Sequence, residues 1–189
     1  MGRIVVTEFV SLDCVMEDPG GAEDFKYGGW TFEIARGDEG DKFKLDEALN
    51  AEALLLGRVT YEGFAAAWPS REGEFADKFN SMPKYVVSST LEEPEWNNST
   101  VLKGDVAEEV AKLRQEQDGD IVVHGSGRLV QTLIDHDLFD ELRLMIFPVV
   151  LGRGKRLFDE TSDKKPLRLV DSRVVGDGVA ILIYEPAAA

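Results

Sequence analysis

Twice along this chain a short, wholly apolar run ends in glycine and gives way at once to helical spacing. Leu54-Leu55-Leu56 stops at Gly57 and Arg58-Val59-Thr60-Tyr61 follows; Ile121-Val122-Val123-His124 stops at Gly125-Ser126-Gly127 and Arg128-Leu129-Val130 follows. A third run, Val86-Val87, ends in three hydroxyls, Ser88-Ser89-Thr90. A strand that is apolar at every position is buried on both faces, which requires a mainly parallel sheet with helices above and below it. The pattern therefore excludes an all-β sandwich and a helical bundle, and it predicts an α/β layered fold.

The remaining elements fit this frame. Strands are predicted over Ile4–Leu12, Ala53–Leu56, Lys84–Ser88, Val101–Leu102, Ile121–Val123, Leu142–Val150, Leu167–Val174 and Val179–Tyr184. Helices are predicted over Asp41–Asn50, Val59–Ala67 and Asp105–Gln117, with a helical turn at Phe75–Asn80 and another helix opened by Gly125-Ser126-Gly127. Gly176-Asp177-Gly178 sets an antiparallel hairpin at the end of the chain. Pro19 to Gly40 is irregular apart from a short helix after Trp30, and the tail from Pro186 is expected to fray. At 189 residues the chain is expected to form one domain with a core that needs no staple.

Charge narrows the partners. The net charge is −15, from 36 acidic and 21 basic residues. Such a surface opposes general binding to nucleic acid or anionic lipid, and no apolar stretch approaches the ~20 residues of a membrane span. Arg143 to Arg173 is an exception at +4, an island that reads mainly as solvated surface or dimer rim. Cys14 is the single cysteine, so no disulfide forms within the chain. The N-terminus enters a strand directly, and a cytoplasmic location is expected. His124 and His136 have no neighbours at metal-ligand spacing, so no metal site is expected.

In a parallel sheet, ligands bind beyond the carboxyl ends of the strands. Gly57 with Arg58 and Thr60 offers close backbone approach, a guanidinium and a hydroxyl to an anion; the plainer reading is a turn with a surface charge. The N–H groups of Gly127, Arg128 and Leu129 suit a pyrophosphate, while His124 is a packed strand-end residue. Ser88 and Ser89 suit a ribose phosphate or simply make a turn. Asp13 is an orienting or proton-handling carboxylate, or a loop cap. Trp30 is a wall for a flat substrate or a core residue. Three anion-friendly strand ends in one sheet suit a dinucleotide.

Taken in order, several segments resemble a known family. These are Ser11-Leu12-Asp13, Leu56-Gly57-Arg58-Val59-Thr60-Tyr61-Glu62, Lys84-Tyr85-Val86-Val87-Ser88 and Gly125-Ser126-Gly127, then Asp140-Glu141-Leu142-Arg143-Leu144 and Pro148 to Phe158. Together they resemble the dihydrofolate-reductase-like superfamily, in the branch of the riboflavin-biosynthesis reductase domain and its stand-alone bacterial relatives. The resemblance implies a three-layer fold with a mixed sheet of about eight strands, a homodimer, and NADPH as cofactor. It assigns Gly57, Arg58, Thr60, Ser88 and Ser89 to the adenosine phosphate side, and Gly125, Ser126, Gly127, Arg128 and Leu129 to the pyrophosphate. Asp13, Val15 and Met16 border the nicotinamide, with Asp13 as the catalytic candidate and Trp30 and Tyr61 on the substrate side. Cys14 departs from the family's usual Gly. The implied activity is hydride transfer to a C=N or C=O of a small pyrimidine- or pterin-type heterocycle. The alternative is a non-catalytic nucleotide-binding protein that keeps the fold.

Overall fold

The computed structural model describes residues 1–187. Its eight strands are β1 (Arg3–Ser11), β2 (Ala51–Gly57), β3 (Lys84–Val87), β4 (Ser99–Leu102), β5 (Asp120–His124), β6 (Glu141–Phe147), β7 (Leu167–Val175) and β8 (Val179–Pro186). The helices are α1 (Gly37–Asn50), α2 (Arg58–Ala67), α3 (Glu74–Ser81), α4 (Val106–Glu116) and α5 (Gly127–Asp135). The strands form one sheet in the order β4-β3-β2-β5-β1-β6-β8-β7. β1 to β6 run parallel, and β8 and β7 close the sheet as an antiparallel hairpin. This is the three-layer mixed fold that the apolar runs demand.

Leu54, Leu55 and Leu56 are all 0% exposed, as a strand covered on both faces must be. Burial of each contributes roughly 2 kcal/mol. Leu55 joins the cluster that α4 and α5 cover, with Val110, Leu113, Leu129, Val130 and Leu133. Leu54 and Leu56 join Ala48, Tyr61, Phe79 and Trp96 under α1, α2 and α3. Right-handed crossovers explain this division. Connections moving toward β4 place their helices on one face, and those moving toward β7 place them on the other. The direction reverses between neighbouring β2 and β5, so α2 and α5 leave adjacent strands for opposite faces.

Several boundaries move from expectation. α1 starts four residues early, at Gly37, because Gly37-Asp38-Glu39-Gly40 forms the first turn although its glycines read as a break. β6 stops at Phe147 rather than Val150: Pro148 follows and has no N–H for the ladder. The short helix after Trp30 is a single 3-10 turn, Trp30–Phe32. The tail holds further than predicted, since Pro186 pairs with Leu167 and the Ala187 N–H donates to Pro166. The last two residues of the expected frayed tail lie outside the described residues. β7 leaves Leu169, Val170 and Val174 exposed on the sheet's free edge, and its ladder with β8 is irregular between Leu169 and Asp171.

Candidate functional site

The reversal point is also where the glycines lie. β2 passes into α2 and β5 into α5 without a connecting loop, apart from Gly125-Ser126. Gly125 (φ 56°) and Ser126 (φ 65°) are both left-handed, which turns the chain off the sheet within two residues. The Ser126 hydroxyl then crosses the crevice. Its Oγ accepts the Gly57 N–H at 2.7 Å. The approach is tight: a Cβ on Gly57 would lie 3.3 Å from Ser126 Cβ, and one on Gly125 would lie 3.0 Å from Thr60 Oγ1. The first N–H groups of α2 and α5 have no acceptor within their helices, and the helix dipoles favour negative charge there. Two helix N-termini thus open side by side on a cradle built from Gly57, Thr60, Gly125, Ser126 and Gly127. Gly127, Arg128 and Leu129 stand in the first turn of α5, with Arg128 exposed and Leu129 buried.

At the β2/β3 side, the register Gly57↔Val87 sets Arg58 beside Ser88. Arg58 is exposed and donates to both oxygens of Glu62, one turn on. Ser88 is buried and its Oγ accepts the N–H groups of Thr90 and Leu91, so it ties the turn, while Ser89 and Thr90 are exposed.

On the other side lies the loop after β1. Asp13 Oδ1 accepts the Ser11 hydroxyl and the Leu151 N–H, and Oδ2 accepts the Gly152 N–H. Burial alone would raise its pKa, but these hydrogen bonds hold it below the usual carboxylate range. Of the roles open to it, this favours an orienting loop cap over a proton donor. Val15 is 0% exposed and pairs with Arg156, so it lies under the loop and does not line a surface. Met16 rests against the cradle instead, its sulfur 3.2 Å from where a Gly127 Cβ would stand. Cys14 holds φ 62° in the turn that its N–H closes onto Ser11 O. A left-handed residue here accounts for glycine in the resembled family, and cysteine pays about 1–2 kcal/mol of backbone strain.

Two substrate-side candidates are core residues. Trp30 is 2% exposed, packs edge-on to Phe147 and donates its indole N–H to Glu17 O. Tyr61 is 3% exposed and its hydroxyl accepts the Trp96 N–H. Neither presents a ring face at the strand ends. The basic island is also relocated. Lys155 pairs through its backbone with Met16 and Glu17, and Leu157 with Cys14. Arg156 Nε donates to Asp13 O. Its first half therefore borders the crevice rim.

Sequence reasoning missed a buried charged set beneath α1. Lys44 Nζ donates to Thr7 Oγ1 at 3.0 Å and pairs with Glu47, which also meets Arg143 at 3.2 Å. Burial opposes the Glu47 charge, yet Lys44 and Arg143 hold its pKa below the ordinary value. His124 lies opposite Thr7 in the ladder and packs on Phe79 and Phe64. Its buried Nε2 has no partner among the described residues, and burial pushes its pKa down to about 3. Also missed was Glu8, on the opposite face of β1. The only signal for these was a charge at a position whose neighbours are apolar.

Comparison with known proteins is consistent with this architecture. The family model described as the RibD C-terminal domain matches residues 3–181. The chain belongs to the RibD C-terminal domain family. Within reach of this family, YyaP of Bacillus subtilis (strain 168) is 33% identical over 138 residues, which is 70% of this chain and 73% of YyaP. A putative riboflavin biosynthesis protein from Shewanella sp. PV-4 superposes with a TM-score of 0.79 at 22% identity, covering 98% of this chain and 99% of that one. Dihydrofolate reductase from Enterococcus faecalis, complexed with NADP(H), superposes with a TM-score of 0.64 at 15% identity, over 98% of this chain and 97% of the enzyme. These structural likenesses establish that RibD C-terminal domains of this kind share the dihydrofolate-reductase-like fold.

Proposed function

We propose that this RibD C-terminal domain protein is an NADPH-dependent reductase acting on a C=N or C=O of a small pyrimidine- or pterin-type heterocycle. One observation carries the reading: two helix N-termini open side by side at the sheet's reversal point, held together by the Ser126 hydroxyl and by glycines that let the two strand ends approach closely. The donor set fits a polyanion despite the acidic surface, because it consists of backbone N–H groups with Arg58 at the rim. Gly127, Arg128 and Leu129 would hold the pyrophosphate, and Thr60, Arg58 and Ser89 the adenosine phosphate side, Arg58 exchanging Glu62 for phosphate. Met16 and the loop held by Asp13 would border the nicotinamide, keeping water from the transfer. Bound there, the cofactor supplies a hydride; the chain's own part is to bind, orient and exclude water.

The test is a titration followed by nicotinamide fluorescence. NADPH should bind, and Arg58→Ala should weaken NADPH several-fold more than NADH. Absence of NADPH binding overturns the reading. Oxidation of NADPH across pterins, pyrimidines and quinoid compounds would then define the substrate. One observation favours the alternative, a nucleotide-binding protein without turnover: Asp13 is consumed by loop contacts and Trp30 and Tyr61 are core. Tight NADPH binding with no oxidation by any of the panel would select that alternative.

A further inference from the structure

Glu8 lies in the middle of the central strand and is 5% exposed. Strand alternation places it on the face that carries Val6, Val10 and Leu144, the face that α5 covers. β5 leaves the sheet at this rung: Thr7 pairs with His124, and the next residue, Gly125, turns away with φ 56°. Gly125 therefore stands beside Glu8 where the ladder between β5 and β1 ends. Glu8 Oε1 is buried and has no hydrogen-bond partner among the described residues. A buried carboxylate with a free oxygen is costly, whereas a carboxylic acid is much less so. Burial accordingly pushes Glu8 well above the carboxylate range, and Lys44 and the Gly125 N–H offset this only in part.

The charged groups around it are few. From α1, Lys44 and Glu47 act from across the sheet as an ion pair. From β5, the neighbour is His124, neutral at ordinary pH. From the loop after β1, Asp13 and Glu17 are engaged by the 151–155 backbone. From α5, Arg128 is exposed. From β6, the residue opposite is Leu144. Of the carboxyl groups among these, Glu8 is the buried one without a side-chain partner, one residue beyond the Thr7–His124 pair and beside Gly125.

We propose that Glu8 is a positioning residue that sets the charge beneath the dinucleotide cradle: carrying a proton it closes the floor as a neutral group, and without one it opposes the diphosphate bound above. This rests on the dinucleotide reading of the cradle. Bound anion and ionised Glu8 then disfavour each other, so binding takes up a proton and affinity falls as pH rises.

The experiment measures NADPH affinity by fluorescence from about pH 7.5 to about 9.5, where the ribose phosphate (second pKa about 6) is already ionised. Wild type and Glu8→Gln, which keeps the shape without the charge, are compared at fixed ionic strength. The wild-type affinity should fall as pH rises across the window, and the Gln protein should stay flat. Calorimetry of the wild-type protein in buffers of different ionisation enthalpy should record proton uptake on binding, which keeps the test independent of how the variant folds. Matching pH profiles for the two proteins, or binding without proton uptake, overturns the role of Glu8 alone. Failure of both proteins to bind NADPH at any pH overturns the dinucleotide reading and this coupling together.

Discussion

Two buried ionisable groups of this sheet, on β3 and β1, are treated in opposite ways. Lys84 starts β3 and is 0% exposed. Its three protons are all used, on the carbonyls of Asn80, Met82 and Asn97 at 3.1, 2.9 and 2.8 Å, and its ammonium sits 4.3 Å from the Trp96 ring centroid. Burial pushes its pKa down to about 8, which still leaves it charged at neutral pH. Lys84 therefore ties the end of α3 to the loop before β4. Glu8 has one neighbouring N–H and a spare oxygen. A fully satisfied buried charge fixes backbone in place; a half-satisfied one is free to respond to something else. The first lies away from the cradle, and the second lies directly under it.

The comparison can be broken most forcefully at Lys84. Lys84→Met should cost about 3–5 kcal/mol, because three buried carbonyls lose their donor. That corresponds to a fall in Tm of about 10 °C. NADPH affinity of the folded protein should not change; a large change would mean that Lys84 serves the site as well. Next is the link across the crevice. Ser126→Ala leaves the Gly57 N–H without its acceptor and should weaken NADPH about tenfold, with about 1 kcal/mol of stability lost. An unaltered dissociation constant would separate this bond from binding.

Glu8→Gln should do the reverse of Lys84→Met. A carboxyl whose pKa is raised by folding stabilises fully below its unfolded pKa, and that contribution is lost as pH rises. The variant should therefore equal wild type in acid and melt a few degrees higher at about pH 8. Wild type and variant melting together at every pH would remove the contrast. Asp13→Asn should loosen the joined 13–17 and 151–157 loops at a cost of about 1 kcal/mol, raising KM for NADPH more than it lowers kcat. The smallest effect is expected at Cys14→Gly, a change within about 1 kcal/mol, as relief of the left-handed strain offsets the entropy glycine adds to the unfolded chain.

The layered fold was legible because it follows from short-range pattern. Leu54-Leu55-Leu56 and Ile121-Val122-Val123 allow no half-exposed strand, and alternating helices require parallel pairing. The cradle was legible for the same reason, since Gly57 and Gly125 sit at the strand ends themselves. What failed depends on long-range partners. Asp13 allows either a proton-handling carboxylate or a loop cap by sequence, and its partners Leu151 and Gly152 lie far along the chain. The basic residues around Arg153 look remote until their backbone pairs with Cys14 to Glu17. Trp30 and Tyr61 look like site aromatics until Phe147 and Trp96 enclose them. Glu8 was not legible because its sequence neighbours are apolar and its place beside Gly125 depends on the pairing of β1 with β5.

The bond from Gly57 to Ser126 has a mechanical consequence. α2 and α5 belong to different layers, and layers on opposite sides of a sheet ordinarily communicate only through the strands between them. Here one hydroxyl joins the root of each helix, so a tilt of α2 must either carry the Gly125-Ser126 turn with it or break that contact. The upper and lower layers meet at this oxygen atom as well as through the sheet, and substitutions on one face of the molecule can be felt on the other without passing through its core.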